Sequence, residues 1–252
     1  MKTVLITGAS GGIAQELIKQ LPSTYAIIAW GRSKSKLDNL YSNFDNVESY
    51  EIDICDEDKI KSQLKIIELK YQKIDILINN AGFGTFKTFD DYVQADIKKM
   101  FEVNTIAVMT ISRLVGKMMQ DRGQGHIFNI ASMAGHIASQ KASVYSATKF
   151  AVIGFSNALR LELADSGVIV TTVNSGPVKT DFFKEADPSG DYLKKIDAYT
   201  LEANTVARKI ILSIGKKKRE LNLPLTLESV HFIYKLFPKL SDFLARKVFN
   251  YK

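Results

Sequence analysis

The stretch Thr7-Gly8-Ala9-Ser10-Gly11-Gly12-Ile13-Ala14 follows the apolar run Val4-Leu5-Ile6 and precedes a helical pattern. Between a strand and a helix, Gly8 allows a tight turn and Gly12 lets the backbone approach a pyrophosphate. The helix N-terminus then offers free N–H groups and a positive dipole to phosphate oxygens. An ordinary β–α turn is the alternative, because such a turn alone is weak evidence. We assign four residues of this turn to a predicted dinucleotide site: Gly8, Ser10, Gly12 and Ile13.

The remainder of the chain supplies the context that this turn requires. Further apolar, strand-like runs cover 26–30, 47–52, 74–78, 125–130 and 168–173. Helical patterns cover 33–43, 60–69, 92–119 and 143–163. Continuous apolar strands that alternate with helices are typical of a parallel sheet covered on both faces. We therefore predict the α/β class, with a Rossmann-like doubly wound parallel sheet in a single domain that carries a C-terminal amphipathic helical extension.

Charge separates the extension from the body of the chain. The net charge is +7, and 11 Lys and Arg stand against three Asp and Glu between Arg208 and Lys252. The nearly neutral remainder argues against nucleic acid as a partner. No low-complexity linker precedes Pro224. We assign residues 1–222 to a Rossmann-like catalytic domain and residues 223–252 to an amphipathic basic extension.

Cellular location and metal binding are constrained by only a few residues. Cys55 is the only cysteine, so no intrachain disulfide forms and a reducing compartment is the simpler expectation. The sequence shows no signal-peptide pattern, and no apolar run approaches the ~18 residues of a membrane span. We expect a soluble, cytoplasmic protein. The three histidines lack metal-ligand spacing, which predicts no metal site; His136 either lines a substrate pocket or is an ordinary loop histidine.

The end of the second predicted strand bears on the choice of nucleotide. It reads Trp30-Gly31-Arg32-Ser33, and no carboxylate follows until Asp38. An NAD site usually places Asp or Glu there to bind the ribose hydroxyls. Arg32 would instead form a fork with a 2′-phosphate. With a solvated surface arginine as the alternative, the pattern predicts NADP(H) in preference to NAD(H), with Arg32 and Ser33 in the site.

A second group of residues points to proton transfer. Tyr145 and Lys149 are four positions apart on a predicted helix and so share one face. A neighbouring ammonium favours the phenolate of a tyrosine whose ordinary pKa is near ~10. Tyr145 is therefore a candidate general acid/base for a carbonyl or alcohol oxygen, which Ser132 would also hold by a hydrogen bond. A chance Tyr-x-x-x-Lys spacing is the alternative.

Taken together, these motifs resemble those of the short-chain dehydrogenase/reductase family. The resemblance rests on the order and spacing of motifs between Met1 and about Thr180. The matching residues are Thr7-Gly8-x-x-x-Gly12-x-Ala14, Asn79-Asn80-Ala81-Gly82, Asn104, Ser132 and Tyr145-x-x-x-Lys149.

The resemblance implies a role for each matched residue. It implies hydride transfer at a nicotinamide and a catalytic tetrad of Asn104, Ser132, Tyr145 and Lys149. It also implies that Asp53 and Ile54 hold the adenine, that Asn80, Ala81 and Gly82 line the ribose side, that Val178 and Thr180 hold the carboxamide, and that Tyr145 and Lys149 contact the cofactor. Homodimers or homotetramers through the long helices around Asn104 and Tyr145 are implied as well.

Two positions depart from the family pattern. Ala14 stands where the family has its third glycine and adds a methyl group where helix meets strand. Ser175 replaces the proline of the Pro-Gly pair after the sixth strand, although Gly176 keeps its place. We expect the first change to tighten the site and the second to leave the loop intact but less stiff.

The substrate and the extension leave several interpretations open. Phe182, Phe183, Tyr192 and Leu193 fall where the family has a mobile lid, and they suit either an apolar substrate or core packing. The extension has apolar residues at spacings of three and four on two helical pieces separated by Pro238: Val230, Ile233, Tyr234, Phe237, Leu240, Phe243, Leu244, Val248 and Tyr251. An intrachain lid, a dimer contact and a helix on an anionic membrane surface all fit this pattern.

The sequence therefore predicts an oxidoreductase that transfers hydride between NADP(H) and a small carbonyl or alcohol, with Tyr145 as general acid/base. Two alternatives remain open. One is a catalytically silent NADP-binding sensor, which the intact set of Asn104, Ser132, Tyr145 and Lys149 argues against. The other is a peripheral membrane-associated Rossmann protein, which depends on the extension alone.

Overall fold

The strands of the protein form one large and one small parallel sheet. The computed structural model describes residues 1–187, 190, 200–239 and 241–243. The strands are β1 (Lys2–Thr7), β2 (Tyr25–Gly31), β3 (Val47–Glu51), β4 (Ile76–Asn79), β5 (Gly125–Ile130), β6 (Val168–Ser175), β7 (Val178–Lys179), β8 (Leu201–Glu202) and β9 (Glu220–Leu223). The large sheet is seven-stranded, in the order β3-β2-β1-β4-β5-β6-β9, and β7 pairs with β8.

Helices cover both faces of the large sheet. They are α1 (Gly12–Gln20), α2 (Lys34–Tyr41), α3 (Glu57–Tyr71), α4 (Gln94–Phe101), α5 (Ala107–Arg122), α6 (Ser143–Glu162), α7 (Phe182–Ala186), α8 (Ala203–Ile211) and α9 (Leu225–Leu236). A π-helical turn, Glu102–Ile106, joins α4 to α5, and a 3₁₀ turn, Met133–Gly135, follows β5.

Successive side chains of β1 enter two different cores. Val4 and Ile6 pack with α1, α2 and α8 on one face, whereas Leu5 packs with α3, α5 and α6 on the other. Because side chains alternate along a strand, both sets must be apolar, which gives the continuous apolar run seen in the sequence. Ala14 is fully buried in the first core. The predicted doubly wound parallel sheet is confirmed.

The structure differs in several places from the elements expected from the sequence. The predicted helix over 92–119 is α4, the π-helical turn and α5, because an apolar periodicity does not reveal one inserted residue. The strand predicted over 168–173 continues to Ser175. Strand β9, which was not predicted, adds the outer strand of the sheet beside β6. The predicted boundary between residues 222 and 223 falls inside β9. The division into a domain and an extension stays a prediction.

After Leu223, the last residue of β9, and Pro224, the described part of the extension forms α9, on which no residue is buried. Tyr192 and Leu193 of the predicted lid lie outside the described residues, as do Leu240, Leu244, Val248 and Tyr251 of the predicted apolar stripe. None of the helices in the described part of the chain has the length and hydropathy needed to cross a bilayer.

Core packing around β1 yields a test with a matched control. Leu5 is fully buried between β1 and the helices of its face, whereas Leu69 on α3 is 86% exposed. We expect Leu5→Ala to lower the free energy of unfolding by about 2–5 kcal/mol. Leu69→Ala should change it by less than about 0.5 kcal/mol. Urea denaturation followed by circular dichroism measures both, and equal losses in the two variants would contradict the assigned core.

Candidate active site

The carboxyl ends of the sheet strands border a cavity of about 430 Å³. The cavity lies where strand order reverses between β1 and β4, which is the usual ligand position in a doubly wound sheet. Of the residues predicted for the site, Asn104 and Ser33 do not line this cavity. Those that do are Gly8, Ser10, Gly12, Ile13, Arg32, Asp53, Ile54, Asn80, Ala81, Gly82, Ser132, Tyr145, Lys149, Val178 and Thr180.

The glycine turn is fastened to the end of β4. Gly8 has φ +63°, and a Cβ there would lie 2.6 Å from Cα of Ala81. The Asn80 side-chain amide donates to the carbonyl oxygens of Thr7 (3.1 Å) and Gly8 (3.0 Å). Thr7 Oγ1 accepts from the backbone N–H groups of Asn80 and Ala81, each at 3.1 Å. Only glycine fits this close approach in the left-handed region.

Helix α1 presents an uncapped N-terminus to the cavity. Its N-cap residue is Gly11, which has no side chain to bond the first-turn N–H groups, and the first turn contains no carboxylate. A Cβ on Gly12 would lie 2.5 Å from Cγ2 of Thr180. The turn is therefore close-packed against Thr180 while its N–H groups remain available to phosphate oxygens.

Two cations lie at the edge of the cavity, after β2. Arg32 and Lys36 both line it and are both exposed, and neither forms an ion pair with any residue in the described ranges. Sequence reasoning named Ser33 here and missed Lys36. Ser33 is the N-cap of α2, where its Oγ accepts from the N–H of Lys36 at 3.3 Å. The four-residue spacing from Arg32 to Lys36 was the signal that could have found this second cation.

Tyr145 and Lys149 lie together on α6, as their spacing predicted. The Lys149 ammonium is 5.8 Å from the centroid of the Tyr145 ring, and both side chains are buried. Lys149 Nζ donates to the carbonyl oxygen of Ile130 at 2.9 Å. Burial lowers the pKa of Lys149 from its ordinary value of 10.5 to about 8. Keeping this ammonium charged beside the cavity therefore lowers the stability of the folded protein.

Ser132 faces the same cavity from the end of β5. Its Oγ accepts from the N–H of Ala134 at 3.1 Å, which caps the 3₁₀ turn, and donates to the carbonyl oxygen of Ser175 over a long 3.4 Å. The second bond is weak enough to be exchanged for a bond to a ligand oxygen.

Asn104 is fully buried in the π-helical turn, behind the cavity wall. Its amide donates to the carbonyl oxygen of Phe83 (2.8 Å) and to Oγ1 of Thr148 (3.2 Å). Its Oδ1 accepts from the N–H of Phe83 at 2.9 Å. These bonds join the loop after β4 to α6, the helix that carries Tyr145 and Lys149.

Aromatic rings form the far end of the cavity. The ring of Tyr145 lies 5.9 Å from that of Phe86 and 5.6 Å from that of Phe182, measured between centroids. Phe183 also lines the cavity, and α9 contributes two more apolar side chains. Sequence reasoning named Phe182 and Phe183, and it named Val230 in the apolar stripe that would fit an intrachain lid. It missed Phe86 and Leu227, whose positions depend on loop and tail packing.

His136 does not line the cavity and belongs to a polar network behind it. The buried Asn174 amide lies 3.0 Å from His136 Nε2, which is also 3.7 Å from the Glu220 carboxylate. His136 and the Asn222 amide lower the pKa of Glu220 to about 2. The His231 ring on α9 lies 4.1 Å from the His136 ring. In the described part of the chain, no group of His, Cys, Asp and Glu is arranged to hold a metal ion.

The arrangement of turn, cavity and buried Tyr–Lys pair matches a known family. The family model for short chain dehydrogenases matches residues 2–190.

The chain belongs to the short-chain dehydrogenase/reductase family.

Relatives and solved structures of this family extend over most of the chain. A probable short-chain type dehydrogenase/reductase, VdlC, of Helicobacter pylori is 33% identical over 230 residues, which cover 91% of this chain and 82% of that protein. The ketoacyl reductase HetN of a Nostoc species is 35% identical over 215 residues, or 83% and 75% of the two chains. A closed form of serine dehydrogenase complexed with NADP⁺ has a TM-score of 0.81 at 28% identity, over 89% of this chain and 95% of that one. The protein is therefore an oxidoreductase of this family.

The burial of Lys149 predicts that the cofactor-free enzyme gains stability when this cation is removed. The pKa of Lys149 is about 8 in the folded protein and 10.5 in water. Between these two values of pH, the unfolded chain binds more protons than the folded protein does. Stability therefore rises as pH increases from about 8 to about 10.5. We expect Lys149→Met to raise the free energy of unfolding at pH 7 by about 1–3 kcal/mol, and the gain to be clearly smaller at pH 10.

Chemical denaturation of the cofactor-free protein at pH 7 and pH 10 measures this gain. Lys98→Met, at an exposed position on α4, is the matched control and should leave stability nearly unchanged at both values of pH. A less stable Lys149→Met variant at pH 7 would mean that the bond to Ile130 outweighs the cost of burial.

Proposed function

We propose that this enzyme transfers hydride between NADP(H) and a carbonyl or alcohol substrate, with Tyr145 as general acid/base. One observation carries the proposal. One cavity is lined both by Tyr145, Lys149 and Ser132 and by the glycine turn and Arg32. Groups suited to proton transfer and groups suited to phosphate binding would therefore face a substrate and a cofactor bound side by side.

The residues present fit a dinucleotide phosphate. The uncapped N-terminus of α1 suits the pyrophosphate, and the exposed Arg32 and Lys36 suit a 2′-phosphate at the other end of the nucleotide. Asp53, Ile54, Val178 and Thr180 also line the cavity. The first two would hold the adenine and the last two the carboxamide. The NADP⁺ bound by the related serine dehydrogenase structure supports the same choice of cofactor. When bound, the nicotinamide ring supplies or accepts the hydride.

Each side chain of the site has a separate role at the substrate oxygen. In reduction, the Tyr145 hydroxyl donates its proton to the oxygen as the carbonyl becomes an alcohol; in oxidation, the phenolate takes that proton back. Ser132 exchanges its long bond to Ser175 for a bond to the same oxygen. The Lys149 ammonium stabilises negative charge on Tyr145, and Asn104 positions α6 through its bond to Thr148.

The shape and lining of the cavity favour an apolar carbonyl substrate. Beyond the Tyr145 hydroxyl, the walls include Phe86, Phe182, Phe183 and Leu227. The charged side chains beside them in the cavity lining, Asp181 and Glu185, are carboxylates and would disfavour an anionic substrate. Apolar groups on the substrate would be favoured by burial against them.

A catalytically silent NADP-binding sensor is the alternative function. The position of Ser132 argues against it, because Ser132 lines the cavity with Tyr145 and Lys149 and its implied role is on the substrate oxygen, which cofactor binding alone does not require. Consumption of NADPH in the presence of a panel of apolar aldehydes and ketones distinguishes the two, since a sensor would bind NADPH without turnover.

We further propose that the protein forms homodimers or homotetramers through α5 and α6. Three apolar side chains near these helices are exposed: Ile106 by 53%, Phe150 by 46% and Leu161 by 76%. Contact between copies would cover them. The cytoplasmic location that follows from the single cysteine stays a prediction.

Replacement of Tyr145 tests its role in proton transfer. We expect Tyr145→Phe to lower kcat by about 10²-fold or more, the usual loss when a general acid is removed. NADPH binding should change little, because the ring and its aromatic contacts remain. Tyr25→Phe, on β2 and outside the cavity lining, is the control. Near-native turnover of Tyr145→Phe on a verified substrate would show that the assignment is wrong.

Replacement of the two exposed cations tests the choice of nucleotide. We expect Arg32→Ala with Lys36→Ala to weaken NADPH binding by at least about tenfold, the loss of one charge-assisted bond to a phosphate. NADH affinity should stay within twofold, since NADH has no 2′-phosphate. Lys34→Ala is the control, because Lys34 pairs with Asp38 and does not line the cavity. Fluorescence titration gives both dissociation constants, and equal losses for the two nucleotides would exclude this mechanism of selection.

A further inference from the structure

Helix α9 contributes two apolar side chains to the wall of the cavity. Leu227 and Val230 both line it, and their spacing of three residues places them on one side of the helix. Leu227 is half-buried, whereas Leu225 and Phe232 lie outside the cavity lining and are 72% and 65% exposed. No residue of α9 is buried. Within the described part of the chain, this wall is therefore one helix thick, with an exposed outer side.

Leu227 lies close to the side chain that would bind the substrate oxygen. A Cβ on Gly176 would be only 2.8 Å from Cδ1 of Leu227, so this side chain packs directly on the backbone of Gly176. The preceding residue, Ser175, accepts the long hydrogen bond from Oγ of Ser132. A carbonyl compound whose oxygen replaces that bond would therefore have Leu227 beside one of its carbon substituents.

Polar contacts on either side of Leu227 fasten α9 to the body of the protein. The Asn222 amide donates to Oε1 of Glu228 at 3.1 Å. One turn further along the helix, the His231 ring lies 4.1 Å from the His136 ring. Because neither contact involves the Leu227 side chain, its replacement changes the size of the cavity while the attachments of the helix remain.

We propose that Leu227 and Val230 set the length of the apolar substituent that the enzyme accepts on a neutral carbonyl substrate. A substituent that ends before these side chains is buried against apolar surface, which favours binding. A longer substituent meets them and binds only if α9 is displaced. Both residues lie beyond residue 190, where the match to the family model ends. The inference rests on the proposed function, because the length is measured from the oxygen that Ser132 and Tyr145 would bind.

Reduction of straight-chain methyl ketones by NADPH, from butanone to decanone, tests this assignment. Leu227→Ala removes an isopropyl group from the wall, and each further methylene that the ketone then buries raises kcat/KM roughly fourfold. We expect this variant to raise kcat/KM for the longest ketones, relative to butanone, by at least about tenfold. Leu227→Phe should lower the same ratio, because the larger ring shortens the cavity. Leu225→Ala removes the same group from the outer side of α9, so it is the matched control and should leave the ratio unchanged.

Binding of the same ketones in the presence of NADP⁺, measured by calorimetry, separates this inference from the proposed function. NADP⁺ cannot supply a hydride, so the dissociation constants are obtained without turnover. A preference for longer ketones in the dissociation constants of Leu227→Ala, without consumption of NADPH by any ketone, would support the role of α9 and refute the proposed function.

Several results would overturn the inference. They are the same dependence on chain length in the parent protein and in both Leu227 variants, an equal shift in Leu225→Ala, and the absence of ketone binding by the parent protein. If the Leu227 variants fail to fold by circular dichroism, Val230→Ala replaces them and should also favour the longer ketones. An unchanged preference in Val230→Ala would then contradict the proposed role of α9.

Discussion

Strands β1 and β4 lie side by side in the sheet although β2 and β3 separate them along the chain. This reversal sends the connections after the two strands to opposite faces and leaves a crevice at their carboxyl ends. The two ends must then approach closely, and Gly8 permits this because a Cβ there would lie 2.6 Å from Ala81 Cα. The hydrogen bonds of Thr7 and Asn80 hold that approach in place. This contact positions the glycine turn and the loop after β4, which both line the cavity.

The buried ammonium of Lys149 shows how the fold supports its chemistry. The ammonium has one carbonyl partner at 2.9 Å, from Ile130, and burial lowers its pKa to about 8. Pairing with a buried carboxylate would restore the pKa and would also neutralise the field at Tyr145. The buried, unpaired ammonium lowers the stability of the folded protein, and the two large apolar cores on either face of the sheet offset this loss. Such a local conflict between stability and chemistry is typical of an active site.

Sequence reasoning succeeded where the determinants were local. The glycine turn needs only a strand before it and a helix after it, and Tyr145 with Lys149 needs only the four-residue spacing of a helix. It failed where the determinants were distant in sequence. Lys36 faces the cavity because Ser33 caps α2, and β9 joins the sheet because β6 has a free edge. The apolar pattern around Asn104 does not predict the π-helical turn. A single inserted residue alters the backbone hydrogen bonds but hardly changes the spacing of the apolar residues.

The extension is structurally continuous with the site, because one polar network joins them. Asn174 on β6 is fully buried, and its amide reaches both His136, four residues after Ser132, and Asn222 on β9. His136 in turn contacts His231 of α9. A displaced α9 would expose this network to water and remove a ring contact from the loop that follows Ser132. Packing of the extension and placement of the Ser132 loop are therefore coupled.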